Sequence, residues 1–287
     1  MDMALGLLLV WMALTRCSEP QSTALTGSVR SYEIAAGDTL TSVGARFGVE
    51  PRTLARDNGL RPDAWLRTGD RLMVDDRHVV PAAIRDGIVL NVAQRMLFVF
   101  VAGELVRAFP VAAGKPGWPT PVGRFSVLTK EIDPVWDVPV SIQREMAREG
   151  RPVLTTVRPG PDNPLGNRWL ALSAPGVGIH GTNQPATIYR FTTHGCIRLH
   201  PADVLELFDL VEVGAVVEIT YQPIVLTRSA DGTVWLEVHP DPYRRTGTPE
   251  PQVGDLLRTA GLEHLAGSSA VRRALQERAG RAVVISP

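Results

Sequence analysis

Thr193-His194-Gly195-Cys196-Ile197-Arg198, with Gly178-Ile179-His180-Gly181-Thr182 a little before it, is where this chain concentrates its reactive side chains. A cysteine nucleophile needs a base within hydrogen-bond reach, donors for a developing oxyanion, and an open approach for substrate. The stretch around Cys196 offers each kind of group. An imidazole near a thiol makes it more acidic, which implies thiolate at neutral pH. Gly195 has no side chain, so a carbonyl can approach the backbone N–H groups of His194, Gly195 and Cys196. His194 and Cys196 are two residues apart, and on a strand both side chains would lie on one face. His180 arrives from a separate strand and can point back across the same site. Which histidine faces the sulfur stays open at this level. Two other readings compete. A lone cysteine is a common core residue. His180, His194, Cys196 and His200 could also be metal ligands, but their spacing lacks the paired short-range ligands of structural zinc sites. No metal is expected.

Working outward, the rest of the composition narrows the class. The 287 residues carry Lys+Arg 30 against Asp+Glu 30, with 44% apolar and 21% charged residues, so the chain is globular and of a length for about two domains. A balanced charge, with lysine only at Lys115 and Lys130, gives no field for a nucleic-acid partner. Gly 26 and Pro 23 favour turns and short strands over long helices. Residues 4–14 form an apolar run too short to span a bilayer but suited to the core of an export signal, so residues 1–20 are expected to be a signal peptide despite lacking the usual positive front end. Cys17 sits at the edge of that segment. Export leaves Cys196 as a single thiol, which implies either an intermolecular disulfide or a reactive cysteine and draws attention to Cys196.

Periodicity then divides the chain. In residues 31–75, Tyr32 and Ile34 alternate as a strand, Asp38 or Thr39 caps a helix bearing Leu40, Val43 and Phe47, and Gly48 ends it. A second helix carries Leu54 and stops at Asn58-Gly59, and Leu72-Met73-Val74 closes the unit as a strand. Gly44 inside the first helix is expected to cost about 1 kcal/mol relative to Ala. Residues 77–83 read as a linker. Residues 84–222 are strand-rich runs implying an antiparallel meander, with a short helix before Gly150 and another begun by Pro201. His200 reads as a helix-start residue. Residues 223–287 form a hairpin about Ala230-Asp231-Gly232 and two short helices, expected to dock on the β domain and limit access to its groove.

Two resemblances follow from these residues. Tyr32, Gly37-Asp38-Thr39-Leu40, Phe47-Gly48-Val49, Leu54, Asn58, Gly69 and Leu72 resemble a LysM domain. This implies a small βααβ fold that binds glycan such as peptidoglycan, with Gly37, Asp38, Thr39 and Leu40 among the contacts. A small packing domain without a ligand is the plain alternative. The His180 and Cys196 stretches, together with Thr120-Pro121-Val122-Gly123-Arg124-Phe125, the segment from Trp136 to Pro139, and the loop Pro159-Gly160-Pro161-Asp162-Asn163-Pro164-Leu165-Gly166, resemble the L,D-transpeptidase family of the YkuD/ErfK type. The fold implied is a mainly β chain: a β-sandwich catalytic domain preceded by the LysM unit and followed by a short α/β extension.

That resemblance implies Cys196 as nucleophile and His180 as proton acceptor and donor. Thr193, His194 and Gly195 would line the oxyanion region, and Arg198 would position substrate or serve in a structural ion pair. Tyr189 departs from relatives that often carry Gly there, and is expected to reshape the acceptor side. The reaction implied is transfer of an acyl group from a tetrapeptide stem, releasing D-Ala, through a thioester to an amine, with no cofactor. The acceptor would be a second stem or the Lys of an envelope lipoprotein, or water in an L,D-carboxypeptidase. An amide hydrolase at the same site and a non-catalytic LysM wall-binding protein are the alternatives. Peptidoglycan is the expected partner and the periplasm or cell envelope the expected location.

Overall fold

A computed structural model describes residues 24–286, so the expected signal segment 1–20 and Cys17 lie outside the described residues. The first unit contains β1 (Leu25–Thr26), β2 (Val29–Glu33), α1 (Leu40–Phe47), α2 (Pro51–Asp57), β3 (Arg71–Asp75) and β4 (His78–Val79). β2 pairs antiparallel with β3, Tyr32 opposite Leu72. Thr39 caps α1 reciprocally: its hydroxyl accepts from the Ser42 N–H at 3.0 Å, and Ser42 Oγ accepts from the Thr39 N–H at 2.9 Å. Gly48, at φ 69°, ends the helix. Leu40, Val43, Leu54, Leu72 and Val74 form the small core.

Gly44 reverses the expectation from helix propensity. A Cβ there would lie 2.4 Å from the Val49 carbonyl oxygen, a backbone atom that cannot swing aside. The glycine lets the chain fold back tightly into α2, with the Val49 N–H donating to the Gly44 carbonyl at 2.9 Å.

The second unit runs β5 (Gly87–Asn91), β6 (Met96–Val101), β7 (Glu104–Gly114), β8 (Gly123–Ile132), β9 (Trp136–Asp137), α3 (Val140–Arg148), β10 (Thr156–Val157), β11 (Arg168–Leu172), β12 (Gly178–His180), β13 (Phe191–Thr193), β14 (Ile197–Leu199), α4 (Pro201–Leu210) and β15 (Val216–Thr220). Nine strands form one sheet, β13-β7-β14-β12-β11-β8-β15-β5-β6, which returns on itself because β6 also pairs with β7. It is no simple meander. β15 with β5, β12 with β14 and β13 with β7 are parallel pairs, which need crossovers that hairpin signals do not reveal.

The closed sheet surrounds the main core, where Val99, Phe109, Val111, Leu170, Ile179, Ile197 and Val217 meet Val204 and Leu207 of α4. β6 is apolar on both faces for a reason. Leu97 and Val99 enter this core, while Met96, Phe98 and Phe100 enter a second cluster with Ala45 of α1, Val80 and Tyr189. Each such side chain contributes about 1.5–3 kcal/mol on burial, so β6 fastens the first unit to the second.

The third unit comprises β16 (Ile224–Arg228), β17 (Val234–Val238), α5 (Pro249–Thr259), α6 (Ser269–Glu277) and β18 (Ala282–Val284). β18 was not anticipated; it adds to the expected hairpin in the order β16-β17-β18. The helices do not dock on the catalytic sheet. Val253, Leu257, Val271 and Ala274 pack on Leu236 and Val238 of their own hairpin. The end of the unit turns to the LysM-like one instead: Thr53 Oγ1 donates to the Ala279 carbonyl at 3.2 Å, and Arg281 pairs with Asp57 at 2.6 Å and Asp75 at 3.0 Å.

The presumed linker 77–83 is interior at its start. β4 pairs with β1, and His78, Val79 and Val80 are buried. His78 Nδ1 lies 2.8 Å from Glu237 Oε1 and its Nε2 3.0 Å from the Gly48 carbonyl. His239 Nε2 lies 2.6 Å from the same Glu237 oxygen, and the Val79 N–H donates to Glu237 Oε2 at 2.6 Å. The start of this segment is thus held by hydrogen bonds to Glu237 and Gly48 inside the protein. Among the described residues no helix is long and apolar enough to cross a membrane.

Candidate active site

β12 and β14 run side by side in parallel, Ile179 opposite Ile197 and His180 opposite Arg198, which brings Cys196, just before β14, to the level of Gly178 on the strand that ends in His180. Gly178 is required by its surroundings. A Cβ there would sit 2.3 Å from the Trp169 indole, whose ring instead lies against His180 with centroids 5.7 Å apart.

His180 is buried, and its Nδ1 lies 2.7 Å from the Gly181 carbonyl. A carbonyl can only accept, so Nδ1 carries the proton and Nε2 keeps its lone pair. Burial, with the Arg198 charge adding to it, pulls the imidazole down to about 3. Cys196 is half-buried, its Sγ 3.6 Å from the Gly176 carbonyl. Burial pushes this thiol up, against smaller opposing effects of the Gly178 N–H and Arg198. Both shifts favour the neutral thiol and the neutral imidazole over the thiolate expected from sequence.

The residues between the strands form a tight loop rather than a continuous strand, so His194 and Cys196 do not share a strand face. Gly195 sits at φ 110°. Thr193 Oγ1 donates to the Cys196 carbonyl at 2.6 Å and accepts from the Gly195 N–H at 3.1 Å. That amide, one of the three expected to meet an oxyanion, is thus already engaged. Thr120 Oγ1 donates to the Gly195 carbonyl at 3.0 Å and accepts from the Gly114 N–H at 2.9 Å. The third unit reaches the site here, through Tyr243, whose hydroxyl donates to the Gly114 carbonyl at 2.6 Å and accepts from the Thr120 N–H at 3.2 Å.

His194 does not turn to the sulfur. Its Nε2 lies 2.5 Å from Glu145 Oε2, and the Trp118 ring meets it edge-on at 5.3 Å. Glu145 Oε1 also binds Lys115 Nζ at 2.8 Å. Lys115 first and His194 second hold the Glu145 carboxyl at about 2. Sequence reading missed Glu145, Lys115 and Trp118, none of which stands in a recognisable spacing with Cys196. Thr120 lay within a quoted motif without a role.

Arg198 is half-buried and forms no ion pair or hydrogen bond among the described residues; its Nε is buried without a partner. The structural ion-pair reading finds no partner. His200 does start α4, its Nδ1 accepting from the Ala202 N–H at 3.4 Å. Tyr189 is a correction. At φ 60°, where glycine is the easier residue, its buried ring enters the junction between units, with its hydroxyl donating to the Gly280 carbonyl at 3.0 Å and the Arg95 guanidinium 4.1 Å from its centroid. It braces the units together instead of shaping an acceptor pocket.

In the LysM-like unit, Gly37 is exposed at φ 84°. Asp38 Oδ2 accepts from the Tyr32 hydroxyl at 2.5 Å and the Ala35 N–H at 2.9 Å, Thr39 caps α1, and Leu40 is core. These side chains shape the loop, leaving its backbone and Gly37 to face solvent. Trp65, on the loop between α2 and β3, is 96% exposed. The described residues bring one group of metal-ligating atoms within 4.8 Å of one another, His78, Glu237 and His239, and it is not this site.

Comparison with known proteins fits both halves of this description. The model of the L,D-transpeptidase catalytic domain matches residues 85–219, and the model of the LysM domain matches residues 32–75. The Salmonella typhimurium protein named "Probable L,D-transpeptidase ErfK/SrfK" is 33% identical over 281 residues, 93% of this chain and 89% of its own. The Escherichia coli protein of the same name is 31% identical, covering 79% of this chain and 74% of its own. Escherichia coli "Probable L,D-transpeptidase YbiS" is 32% identical over 62% of this chain. With its catalytic and LysM domains in the same chain, and one third of its residues shared with a relative along nearly the whole length, this protein belongs to the L,D-transpeptidase family.

Proposed function

We propose that this L,D-transpeptidase works in the cell envelope, held on peptidoglycan by its LysM domain, and that Cys196 carries the acyl group. His180 Nε2 takes the Cys196 proton as Sγ adds to the carbonyl of the third residue of a tetrapeptide stem. The tetrahedral intermediate collapses with cleavage of the C–N bond to D-Ala, whose amine leaves with the proton from His180. In the second half an acceptor amine adds to the thioester, the S–C bond breaks, and the proton returns to sulfur through His180. Arg198 fits the stem's carboxylates. With the Gly195 N–H engaged by Thr193, the Cys196 N–H is the amide assigned to the oxyanion in this reading. What supports this reading is a half-buried thiol leading into the strand next to that of a buried imidazole, whose Nδ1 rests on a carbonyl and leaves Nε2 to serve as the base.

The test is product analysis with the protein lacking residues 1–20. Tetrapeptide muropeptides should yield a dimer that has lost one D-Ala, seen by mass spectrometry and absent with Cys196→Ala. Tripeptide monomers alone would make water the acceptor and the protein a carboxypeptidase. A cross-linked dimer formed equally by Cys196→Ala would remove Cys196 from the reaction. Envelope location is tested by fractionating cells that express the full chain; recovery in the cytosol would overturn it.

A further inference from the structure

Between β8 and β11 the chain leaves the sheet as an arch, residues 133–165. β9 and β10 pair within it, and Asn163 ties its two ends, donating to the Pro134 carbonyl at 2.8 Å and accepting from the Leu165 N–H at 2.9 Å. The returning end passes His180, where the Leu165 carbonyl faces the ring. α3, within the arch, brings Glu145 to His194 and Lys115. Otherwise α3 is lightly held. Met146 is its one buried side chain, and Val140 is 60% exposed. Among the described residues, every hydrogen bond and ion pair from α3 to groups outside the arch is made by Glu145.

Of the two partners of Glu145, His194 belongs to the backbone that presents the sulfur and Lys115 is hydrogen-bonded to it. The Lys115 N–H donates to the Thr193 carbonyl at 2.9 Å, and Thr193 and Thr120 clamp the Gly195–Cys196 loop. His194 directly precedes Gly195, whose φ of 110° makes it the soft joint of that loop. With one carboxylate oxygen on the His194 ring and the other on Lys115, the side before the joint is fixed. The two threonines fix the side after it.

We infer that Glu145 is a positioning residue for acyl transfer, acting through His194 to hold the Gly195–Cys196 backbone in the orientation that receives the oxyanion. This rests on the reading of Cys196 as the acylated residue.

Two reactions of the same thiol separate the role from mere structure. In acylation by a carbapenem, Sγ adds to the lactam carbonyl through an oxyanion, the lactam C–N bond breaks, and the ring nitrogen takes the proton. In alkylation by iodoacetamide, Sγ displaces iodide at carbon and no oxyanion forms. Glu145→Ala in the otherwise intact protein is expected to slow carbapenem acylation about 10- to 100-fold, below the loss for deleting an oxyanion donor outright. Alkylation should stay within about twofold, as it lacks that step. Glu145→Gln should recover part of the acylation rate, because its amide oxygen still accepts from His194. Both rates are read by intact-protein mass spectrometry. Unchanged acylation in Glu145→Ala, an equal fall in both reactions, or a Gln variant no better than Ala would overturn the inference. If Cys196→Ala still took up the carbapenem, the nucleophile reading itself would fail, and the inference with it.

Discussion

His180 and His78 are both buried histidines near strand ends, and each rests one ring nitrogen on a backbone carbonyl, Gly181 at 2.7 Å and Gly48 at 3.0 Å. They differ at the other nitrogen. His78 meets the Glu237 carboxylate at 2.8 Å, whereas His180 has no carboxylate beside it and the Arg198 charge close by. Burial alone pushes both imidazoles down. At His180 the neighbouring cation adds to that effect and leaves a neutral base. At His78 burial is the largest single effect, but Glu237, the Gly48 carbonyl and Asp76 together outweigh it, and the pKa rises. Equal burial thus goes with a neutral imidazole favoured at His180 and a protonated one favoured at His78. The junction also has a consistent proton inventory: His78 charged, Glu237 ionised, and His239 pulled down by burial, so that its Nε2–H serves Glu237 and its unpartnered Nδ1 needs no proton.

The contrast breaks most visibly at the base. His180→Gln keeps a polar side chain but loses the lone pair that accepts the thiol proton, so kcat should fall about 10²–10⁴-fold with little change in unfolding. A similar fall in stability instead would make His180 a structural residue. Glu237→Gln should do the opposite. It strands the buried His78 charge, costing about 3–5 kcal/mol in urea unfolding, while turnover below the melting temperature is largely retained.

Arg198→Met comes next in size. Loss of a carboxylate contact should lower kcat/KM about tenfold or more, at roughly 1.5–3 kcal/mol for a hydrogen bond to a charged group. Stability should hold or rise, since no ion pair is lost. A stability loss of several kcal/mol, on the scale of a broken buried ion pair, would point to a partner for Arg198 within the fold.

The smallest effect is a pH slope. Because the His78 pKa lies above its ordinary 6.5, its proton stabilises the fold fully below pH 6.5, and that contribution is lost as pH climbs through the raised value. Glu237, His239 and Asp76 also face this ring, but Glu237 is already ionised and the depressed His239 acts on the acid side of 6.5. Melting temperature should therefore decline between neutral and mildly alkaline pH in the parent and decline less in His78→Gln. Parallel slopes in the two proteins would mean that His78 is not the charged partner of Glu237.

Features governed by near neighbours were legible in the sequence. The Thr39 cap, the Gly48 stop, the strand of Tyr32, the Pro201 start of α4 and the placing of His180 on a strand separate from that of Cys196 all follow from local rules or a short motif. What escaped depends on pairs far apart in the chain. His78 finds Glu237 across 159 positions, and His194 finds Glu145 across 49. Neither acid stands at a spacing that marks it. Residues 77–83 read as a linker on the strength of Pro81, because nothing local shows that His78 is paired inside the fold. The thiolate expectation erred for a related reason, since the desolvation of Cys196 and His180 is set by strands such as β11 and by the arch. Helix propensity misjudged Gly44 because the clash it avoids is with a turn outside the helix.

The most direct test of the neutral thiol–imidazole pair as an acyl-transfer centre is to trap the acyl-enzyme. The protein lacking residues 1–20 is mixed with a tetrapeptide muropeptide, quenched in acid within seconds and weighed intact, then digested to locate the adduct. The expected result is a mass increase equal to the donor less D-Ala, on the peptide containing Cys196, absent in Cys196→Ala and slow to form in His180→Gln. Product accumulating without any adduct, or an adduct on another residue, would contradict it.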